Sequence, residues 1–185
     1  WQDAGLHMPR MAVNLSARQL TSGYENEVFG VLESQKLSPT RLEVEVTETL
    51  LIQDMEGGLA VLGALRELGV RVALDDFGQG YSSLSYLSSL PLDVLKVDRS
   101  FVQDVLIDED DATIVRAIIQ LGRSLNMQVI AEGVESAEQE AYIIAQGCNE
   151  GQGYYYSRPL SATAFTDWLH AYKGASNKAR RSELS

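Results

Sequence analysis

The sequence predicts an α/β fold built as a TIM-type (βα)8 barrel, and three observations lead to it. Short β-rich segments alternate with amphipathic helical patterns along the 185 residues. Most of these segments are apolar and end in Asn, Asp or Glu, which a parallel barrel would gather at one face. The glycine-rich phosphate loop that usually follows the first strand of a doubly wound sheet is absent from the sequence. We therefore prefer the barrel to an open sheet.

The β-rich segments share an apolar body and, in most cases, a polar end. They are 11–13 before Asn14, 42–46, 70–74 before Asp75 and Asp76, 94–97 before Asp98, 129–131 before Glu132, and a less regular segment at 151–156. Their spacing is mostly that of one strand and one helix, which predicts a mainly parallel sheet.

The helical patterns each carry an apolar face at helical spacing. They are Leu59, Leu62, Leu65 and Leu68 with Gly69 as the C-terminal cap, Ile114 to Leu125 after the acidic run 108–111, a helix opened by Ser136 and Gln139 that stops near Gly147, and a last helix with Phe165, Trp168, Leu169 and Tyr172. We expect the polar residues 174–185 to form a tail after a domain of residues 1–173.

The composition is that of one soluble globular domain. Hydrophobic residues make up 45% of the chain, and 15 basic against 26 acidic residues give a net charge of −11. This balance argues against nucleic-acid partners and anionic membrane surfaces, and no apolar run is long enough to cross a bilayer. The single cysteine, Cys148, excludes an intrachain disulfide. We expect a cytoplasmic location, alone or as the cytoplasmic part of a membrane-anchored protein.

The polar strand ends form an oxygen-rich set that suits metal ions. Its members are Asn14, Glu45, Asp75, Asp76 and Glu132. Carboxylates gathered this closely would repel one another, and divalent cations remove that conflict. Oxygen ligands without Cys or His favour Mg2+ or Mn2+ over zinc. Adjacent Asp75 and Asp76 could serve two ions about 3.5–4 Å apart, a recurrent arrangement for phosphoester hydrolysis.

Other residues leave alternatives open at this point. Lys96 stands among Val94, Leu95 and Val97, and it either points into the acidic barrel mouth or faces solvent. The tyrosines 154–156 either pack in the core, which we prefer, or offer a platform for a base. The acidic run 108–111 is expected to be a solvated helix N-terminus without a catalytic role.

The ordered motifs resemble the EAL domain family, the bacterial cyclic di-GMP phosphodiesterases. The resemblance covers residues 1 to about 172 and rests on the motifs VNLS at 13–16, EVTE at 45–48, DDFG at 75–78, GYSSL at 80–84, LKVDRSFV at 95–102, AEGVE at 131–135 and QGY at 152–154. It implies a (βα)8 barrel that hydrolyses cyclic di-GMP to linear pGpG in bacterial second-messenger signalling.

The resemblance also implies a role for each site residue. Asn14, Glu45 and Asp75 would bind one Mg2+ or Mn2+ ion, and Asp75, Asp76 and Glu132 would surround a second. Lys96 would position the hydrolytic water, which makes Lys96, Glu132, Asp75 and Asp76 the catalytic set. Glu135 and Gln152 would bind substrate, and Glu48 would anchor the loop 77–83. That loop couples metal binding to dimerisation in the family, so a homodimer is expected, with attached sensory or cyclase domains.

One departure from the family pattern affects the expected function. The family's Glu-Ala-Leu motif lies well before the position of Asn14, and only thirteen residues precede Asn14 here. We therefore expect the barrel to lack about its first two strands, together with that glutamate and a nearby arginine. The alternative function is a catalytically inactive cyclic di-GMP receptor or a protein-interaction module.

Overall fold

Six parallel strands form one sheet whose spatial order follows the order of the chain. The structure, a computed structural model, describes residues 1, 10–53, 55–79 and 87–171. The strands are β1 Met11–Asn14, β2 Leu42–Thr47, β3 Arg71–Phe77, β4 Val94–Val97, β5 Gln128–Glu132 and β6 Glu150–Gln152. Every neighbouring pair is parallel, as the alternation of strands and helices predicts.

Helices connect the strands in the manner of successive βα units. They are α1 Tyr24–Ser34, α2 Glu48–Gln53, α3 Met55–Glu67, α4 Arg99–Gln103, α5 Glu109–Ser124 and α6 Ala137–Ala145. The predicted ends are confirmed where they are described. Gly69 adopts a φ of +93° after α3, the Asp108 carboxylate caps α5, and Ser136 with Gln139 forms the capping box of α6.

The outer face of the sheet is apolar and carries the main core. Because neighbouring residues in register point to the same face, Val46, Leu74, Leu95 and Val129 lie together, and all four are buried in one cluster with residues of the helices. This burial of branched side chains on one face is the main favourable contribution to folding.

The inner face is layered, with charged side chains at both ends of the strands. At the N-terminal end, Arg71 contacts Glu43 (Nε–Oε2, 3.3 Å) and donates to Gln128. A middle layer holds Ala73, Val94 and Ile130. The C-terminal end holds the acidic residues of the predicted site. Layers contributed by successive strands are the packing expected inside a barrel.

The sheet curls so that its two outermost strands approach each other. Arg10, directly before β1, places Nη2 3.1 Å from Glu150 Oε1 at the start of β6, and its Nε lies 3.6 Å from Glu43. Burial raises the pKa of Glu43, against the opposing charge of Arg10. The curled sheet of parallel strands alternating with helices matches the predicted barrel architecture.

Two strand boundaries and one burial assignment differ from the prediction. β3 continues through Asp75 and Asp76 to Phe77, and β6 is only three residues long. Tyr154, Tyr155 and Tyr156 form a turn after β6 and are 39–48% exposed, so the preference for a core position was wrong. A local apolar run does not distinguish a strand from an exposed turn when three aromatic residues follow each other.

A second compact unit comprises Trp1–Pro9 with Ser157–Ser185. Its described part includes helix α7, residues 162–171. The Trp1 indole N–H donates to Thr166 Oγ1 (2.7 Å), and the ring meets Phe165 edge-on, with centroids 5.2 Å apart. Phe165 stacks on Trp168, as the predicted apolar helix face requires. Tyr172 and the predicted tail 174–185 lie outside the described residues.

Within the described ranges, none of the helices has the length and apolar character that crossing a bilayer requires.

The contact between α5 and β5 predicts a strong effect of adding one methyl group. A Cβ at Gly122 would lie 2.3 Å from Cγ2 of the buried, stiff Val129, so we expect Gly122→Ala to lower the free energy of unfolding by about 1–3 kcal/mol. The control is Gly63→Ala in α3, where a Cβ meets nothing within 4 Å; its free energy of unfolding should rise by about 0.5–1 kcal/mol. Urea denaturation measures the stability of both variants. Equal stability changes would contradict the close contact between Gly122 and Val129.

Candidate active site

Lys96 lies at the centre of the strand ends, on the inner face of β4. Its side chain is 3% exposed, and its Nζ lies 2.7 Å from Glu45 Oε1, 2.9 Å from Asp75 Oδ1 and 2.7 Å from Glu132 Oε1. An ammonium carries three N–H donors, so each donor has a carboxylate partner. Of the two orientations that the sequence left open, the inward one is observed.

The surroundings of Lys96 keep it charged. Burial would lower its pKa, but the hydrogen bonds with Glu132 and Glu45 outweigh burial and raise the pKa above its ordinary value. Lys96 is therefore an ammonium at neutral pH. It can donate hydrogen bonds and offset negative charge, but it cannot accept a proton.

A β-bulge in β3 directs two successive carboxylates to the same place. Successive residues of a regular strand point to opposite faces. The pairing with β4 shifts between Leu74 and Phe77, and Asp76 adopts a φ of +54°, a left-handed conformation that Asp tolerates better than most residues. The extra residue re-aims the chain. As a result, Asp75 and Asp76 both reach the C-terminal mouth of the sheet.

Carboxylate oxygens of Asp75, Asp76 and Glu132 lie within 4.8 Å of one another. Burial raises the pKa of Glu132 despite the opposing hydrogen bond with Lys96. Burial and then the charge of Asp75 raise the pKa of Asp76. Burial is the largest cause of both pKa shifts, and the charge of neighbouring carboxylates adds to it. Three carboxylate oxygens held this close together are suitable ligands for a hard divalent cation.

Asp98 directly follows β4 and belongs to the same group; the sequence marks it as a polar strand end, but it was not among the predicted site residues. The residue is 5% exposed, and its Oδ1 accepts hydrogen bonds from the backbone N–H and the hydroxyl of Ser100, capping α4. Burial would raise its pKa, but hydrogen bonds from Ser100 and the Gln79 side chain lower it. Its contact with Asp76 raises the pKa of Asp76 further. The cap has a sequence signal, Asp followed by Ser two residues later, whereas the contact with Asp76 depends on the bulge.

Glu135 and Gln152 line one cavity beside the carboxylates. It has a volume of about 180 Å³ and is bordered by Arg99, Glu132, Gly133, Glu135, Gln152, Gly153 and Tyr154. Val134 N–H donates to the Gln152 carbonyl (3.0 Å), which joins the loop after β5 to β6. A polar ligand bound at the carboxylates would extend into this cavity and meet Glu135 and Gln152 there.

Asn14 and Glu48 lie at the ends of β1 and β2. Asn14 is exposed and pairs in register with Glu45. Glu48 is 8% exposed at the start of α2, and its Oε2 has no hydrogen-bond partner within the described residues. The loop that Glu48 is predicted to anchor is described only as far as Gln79, so the anchoring role stays a prediction.

Residues 1–159 match the EAL domain family. The chain belongs to this family. The EAL chain is 42% identical over 176 residues to the cyclic di-GMP phosphodiesterase PdeR of Escherichia coli K12, covering 93% of this chain and 26% of PdeR. It is 44% identical over 163 residues to the bifunctional diguanylate cyclase/cyclic di-GMP phosphodiesterase MucR of Pseudomonas aeruginosa, covering 88% of this chain and 24% of MucR. It thus spans about a quarter of these curated relatives.

Solved structures share the fold. The PaMucR phosphodiesterase in complex with c-di-GMP is 43% identical, with a TM-score of 0.83 over 89% of this chain and 67% of that chain. The EAL domain of Mycobacterium smegmatis DcpA is 37% identical, with a TM-score of 0.86 over 92% and 78%. A Klebsiella pneumoniae BlrP1 complex with manganese and cyclic di-GMP is 34% identical, with a TM-score of 0.76 over 85% and 40%.

The EAL fold brings most of the predicted site residues together. Lys96 contacts Glu45, Asp75 and Glu132 directly, and Asp76 joins them through the carboxylate cluster. Glu135 and Gln152 share the adjacent cavity. Asn14 ends β1 and Glu48 directly follows β2, and neither has a described side-chain contact to this group.

The buried ammonium of Lys96 predicts a charge-specific loss of stability. In metal-free protein, Lys96→Met leaves three carboxylates without their cation and should lower the free energy of unfolding by about 3–5 kcal/mol. Urea denaturation in a chelator measures this.

Lys36→Met is the matched control, because it removes the same charge from an exposed position. That variant should change stability by at most about 0.5 kcal/mol. Equal stability of the two variants would contradict the central position of Lys96.

Proposed function

We propose that this EAL domain hydrolyses one phosphodiester bond of cyclic di-GMP and releases linear pGpG. Support comes from the relatives: PdeR, MucR and NbdA are named cyclic di-GMP phosphodiesterases, and PaMucR was solved with c-di-GMP bound. The observation that carries the proposal is the cluster of Asp75, Asp76 and Glu132 around the ammonium of Lys96.

We assign the cofactor as two divalent ions, Mg2+ or Mn2+. Asn14, Glu45 and Asp75 would hold one ion, and Asp75, Asp76 and Glu132 the other. Support comes from the oxygen donor set and from the calcium and manganese in the BlrP1 complexes. When bound, such ions lower the pKa of a water and stabilise the charge on the phosphate oxygens.

The chain's own residues divide the remaining work. The ammonium of Lys96 lies 2.7–2.9 Å from three of these carboxylates, so it would act as a hydrogen-bond donor that orients the hydrolytic water. Glu132 would act as a metal ligand, and its contact with Lys96 Nζ (2.7 Å) would keep the ammonium next to that water. Asp75 and Asp76 hold their positions through the bulge, which fixes both carboxylates on a strand rather than on a loop.

Glu135 and Gln152 are assigned to substrate binding, since both line the cavity beside the carboxylates. Glu48 is assigned to the loop 77–83. Its buried Oε2 lacks a hydrogen-bond partner within the described residues, and such an atom requires a donor that a neighbouring segment can supply.

The same family membership suggests the domain extent, the oligomeric state, the location and the attached domains. Residues 1–173 would form the EAL domain, acting as a homodimer in the cytoplasm with sensory or cyclase domains attached. The bifunctional name of MucR and the small share of each relative that this chain covers support attached domains.

Turnover and binding distinguish the proposal from a receptor function. The protein in its full natural length is incubated with cyclic di-GMP and Mn2+ or Mg2+, and products are separated by chromatography. Release of pGpG supports the phosphodiesterase. Tight nucleotide binding by metal-loaded protein without pGpG would replace it with the receptor.

Asp75→Asn tests the carboxylate cluster. The amide keeps the shape of the side chain but removes the charge of a metal ligand. Losing a residue that only orients a metal ligand costs up to about a hundredfold, so we expect kcat to fall by at least that much. Circular dichroism should show an unchanged fold.

Asp110→Asn is the control for Asp75→Asn, because it removes the same charge from the exposed first turn of α5. It should hydrolyse cyclic di-GMP like the parent. Near-normal turnover by Asp75→Asn would contradict the assignment of the metal ligands.

A further inference from the structure

Gln139 is a buried polar residue outside the carboxylate cluster, and its side-chain amide is fully used. It is 8% exposed in α6. Its Oε1 accepts hydrogen bonds from the backbone N–H groups of Glu135 (2.7 Å) and Ser136 (3.1 Å). Its Nε2 donates to the carbonyls of Val102 (3.3 Å) and Gln103 (2.9 Å). An amide has two donors and one acceptor oxygen with two lone pairs, so each capacity is matched.

The two sides of this amide belong to different parts of the candidate active site. Glu135 and Ser136 lie on the loop that leaves Glu132 at the end of β5. Val102 and Gln103 end α4, whose N-cap, Asp98, follows Lys96 by two residues. Gln139 therefore fastens the loop after Glu132 to the helix after Lys96.

The same loop also touches the beginning of α4. A Cβ at Gly133 would lie 2.6 Å from Cγ and 2.9 Å from Cβ of Arg99, with φ at +72°, so only glycine permits this approach. The loop thus contacts α4 at its start through Gly133 and at its end through Gln139. With the ion pair between Lys96 and Glu132 (2.7 Å), three contacts hold the ends of β4 and β5 together.

The capping box explains only part of what Gln139 does. In a capping box the residue at the third helical position returns a hydrogen bond to the N-cap backbone, and Gln139 does so at Ser136. A glutamate would serve that purpose equally. The two hydrogen bonds that Nε2 donates to α4 require an amide, because a carboxylate would face two carbonyl oxygens and repel them.

We propose that Gln139 is a positioning residue: its amide fixes the loop after Glu132, which carries Glu135, against α4 and thereby sets the placement of these two carboxylates. The inference rests on the proposed phosphodiesterase function and deepens it. Groups that orient metal ligands from behind commonly affect metal affinity or activity by about 10–100-fold.

Gln139→Glu tests the inference, because it keeps the shape and the capping oxygen but replaces the two donors by a negative charge. In the protein in its full natural length, we expect the Kd for Mn2+ to rise by about tenfold or more and kcat to fall similarly. The KM for cyclic di-GMP should change less. Calorimetry gives the Kd, and steady-state kinetics gives kcat and KM.

Ser136→Ala is the matched control. It removes the hydroxyl that accepts from Gln139 N–H (3.2 Å) and weakens the start of α6, but leaves the bridge to α4 intact. It should lower the urea midpoint while keeping the Mn2+ Kd and kcat of the parent. If Gln139→Glu does not fold, Gln139→Met removes the hydrogen bonds without adding charge and serves in the same comparison.

The outcomes separate the two proposals. If the Gln139 variants lose stability but keep the parent's Mn2+ Kd and kcat, the positioning role is overturned. If the parent binds Mn2+ but releases no pGpG, the phosphodiesterase function fails, and the Mn2+ Kd alone decides the role of Gln139. If the parent binds no Mn2+, both proposals are overturned.

Discussion

The ammonium of Lys96, held between carboxylates from three other strands, is the interaction on which the candidate active site depends. Buried carboxylates are tolerated only when cations and hydrogen bonds compensate for their lost hydration. Lys96 supplies this compensation for Glu45, Asp75 and Glu132 at once, so that acids of β2, β3 and β5 can stand close together. The compensation is incomplete, since Asp76 and Asp98 add further negative charge. An excess of negative charge on residues fixed at strand ends is the property that a divalent-ion site needs.

The rest of the fold provides the rigidity that this arrangement requires. The apolar outer face of the sheet packs against helices and contributes most of the stabilisation, which leaves the inner face free to carry polar layers. An apolar layer of Ala73, Val94 and Ile130 separates the carboxylates at one end from the Glu43 and Arg71 contacts at the other. Loops are held as well: Gln139 and Gly133 fasten the segment after Glu132 to α4. The mouth therefore has fixed walls on the side of β4, β5 and β6.

The fold and most of the site could be predicted because their signals are local. Apolar runs that end in Asn, Asp or Glu mark parallel strands, and a barrel places such ends together, so Asp75 and Glu132 could be predicted, with Glu45 added from the alternating strand 42–46. The orientation of Lys96 could not be decided, because its neighbours Leu95 and Val97 are apolar on one face and Val94 on the other. The bulge at Asp76, the contact of Asp98 and the bridge made by Gln139 depend on strand register and on contacts between distant segments. The exposure of Tyr154 to Tyr156 depends on where β6 ends.

The position of the bound ions tests the account most directly. Crystals of the protein in its full natural length are grown with Mn2+, and anomalous scattering locates the ions. The account predicts two anomalous peaks at the C-terminal mouth, with oxygens of Asp75, Asp76 and Glu132 about 2.0–2.3 Å from manganese. An absence of peaks there, with Lys96 still paired to all three carboxylates at saturating Mn2+, would contradict it.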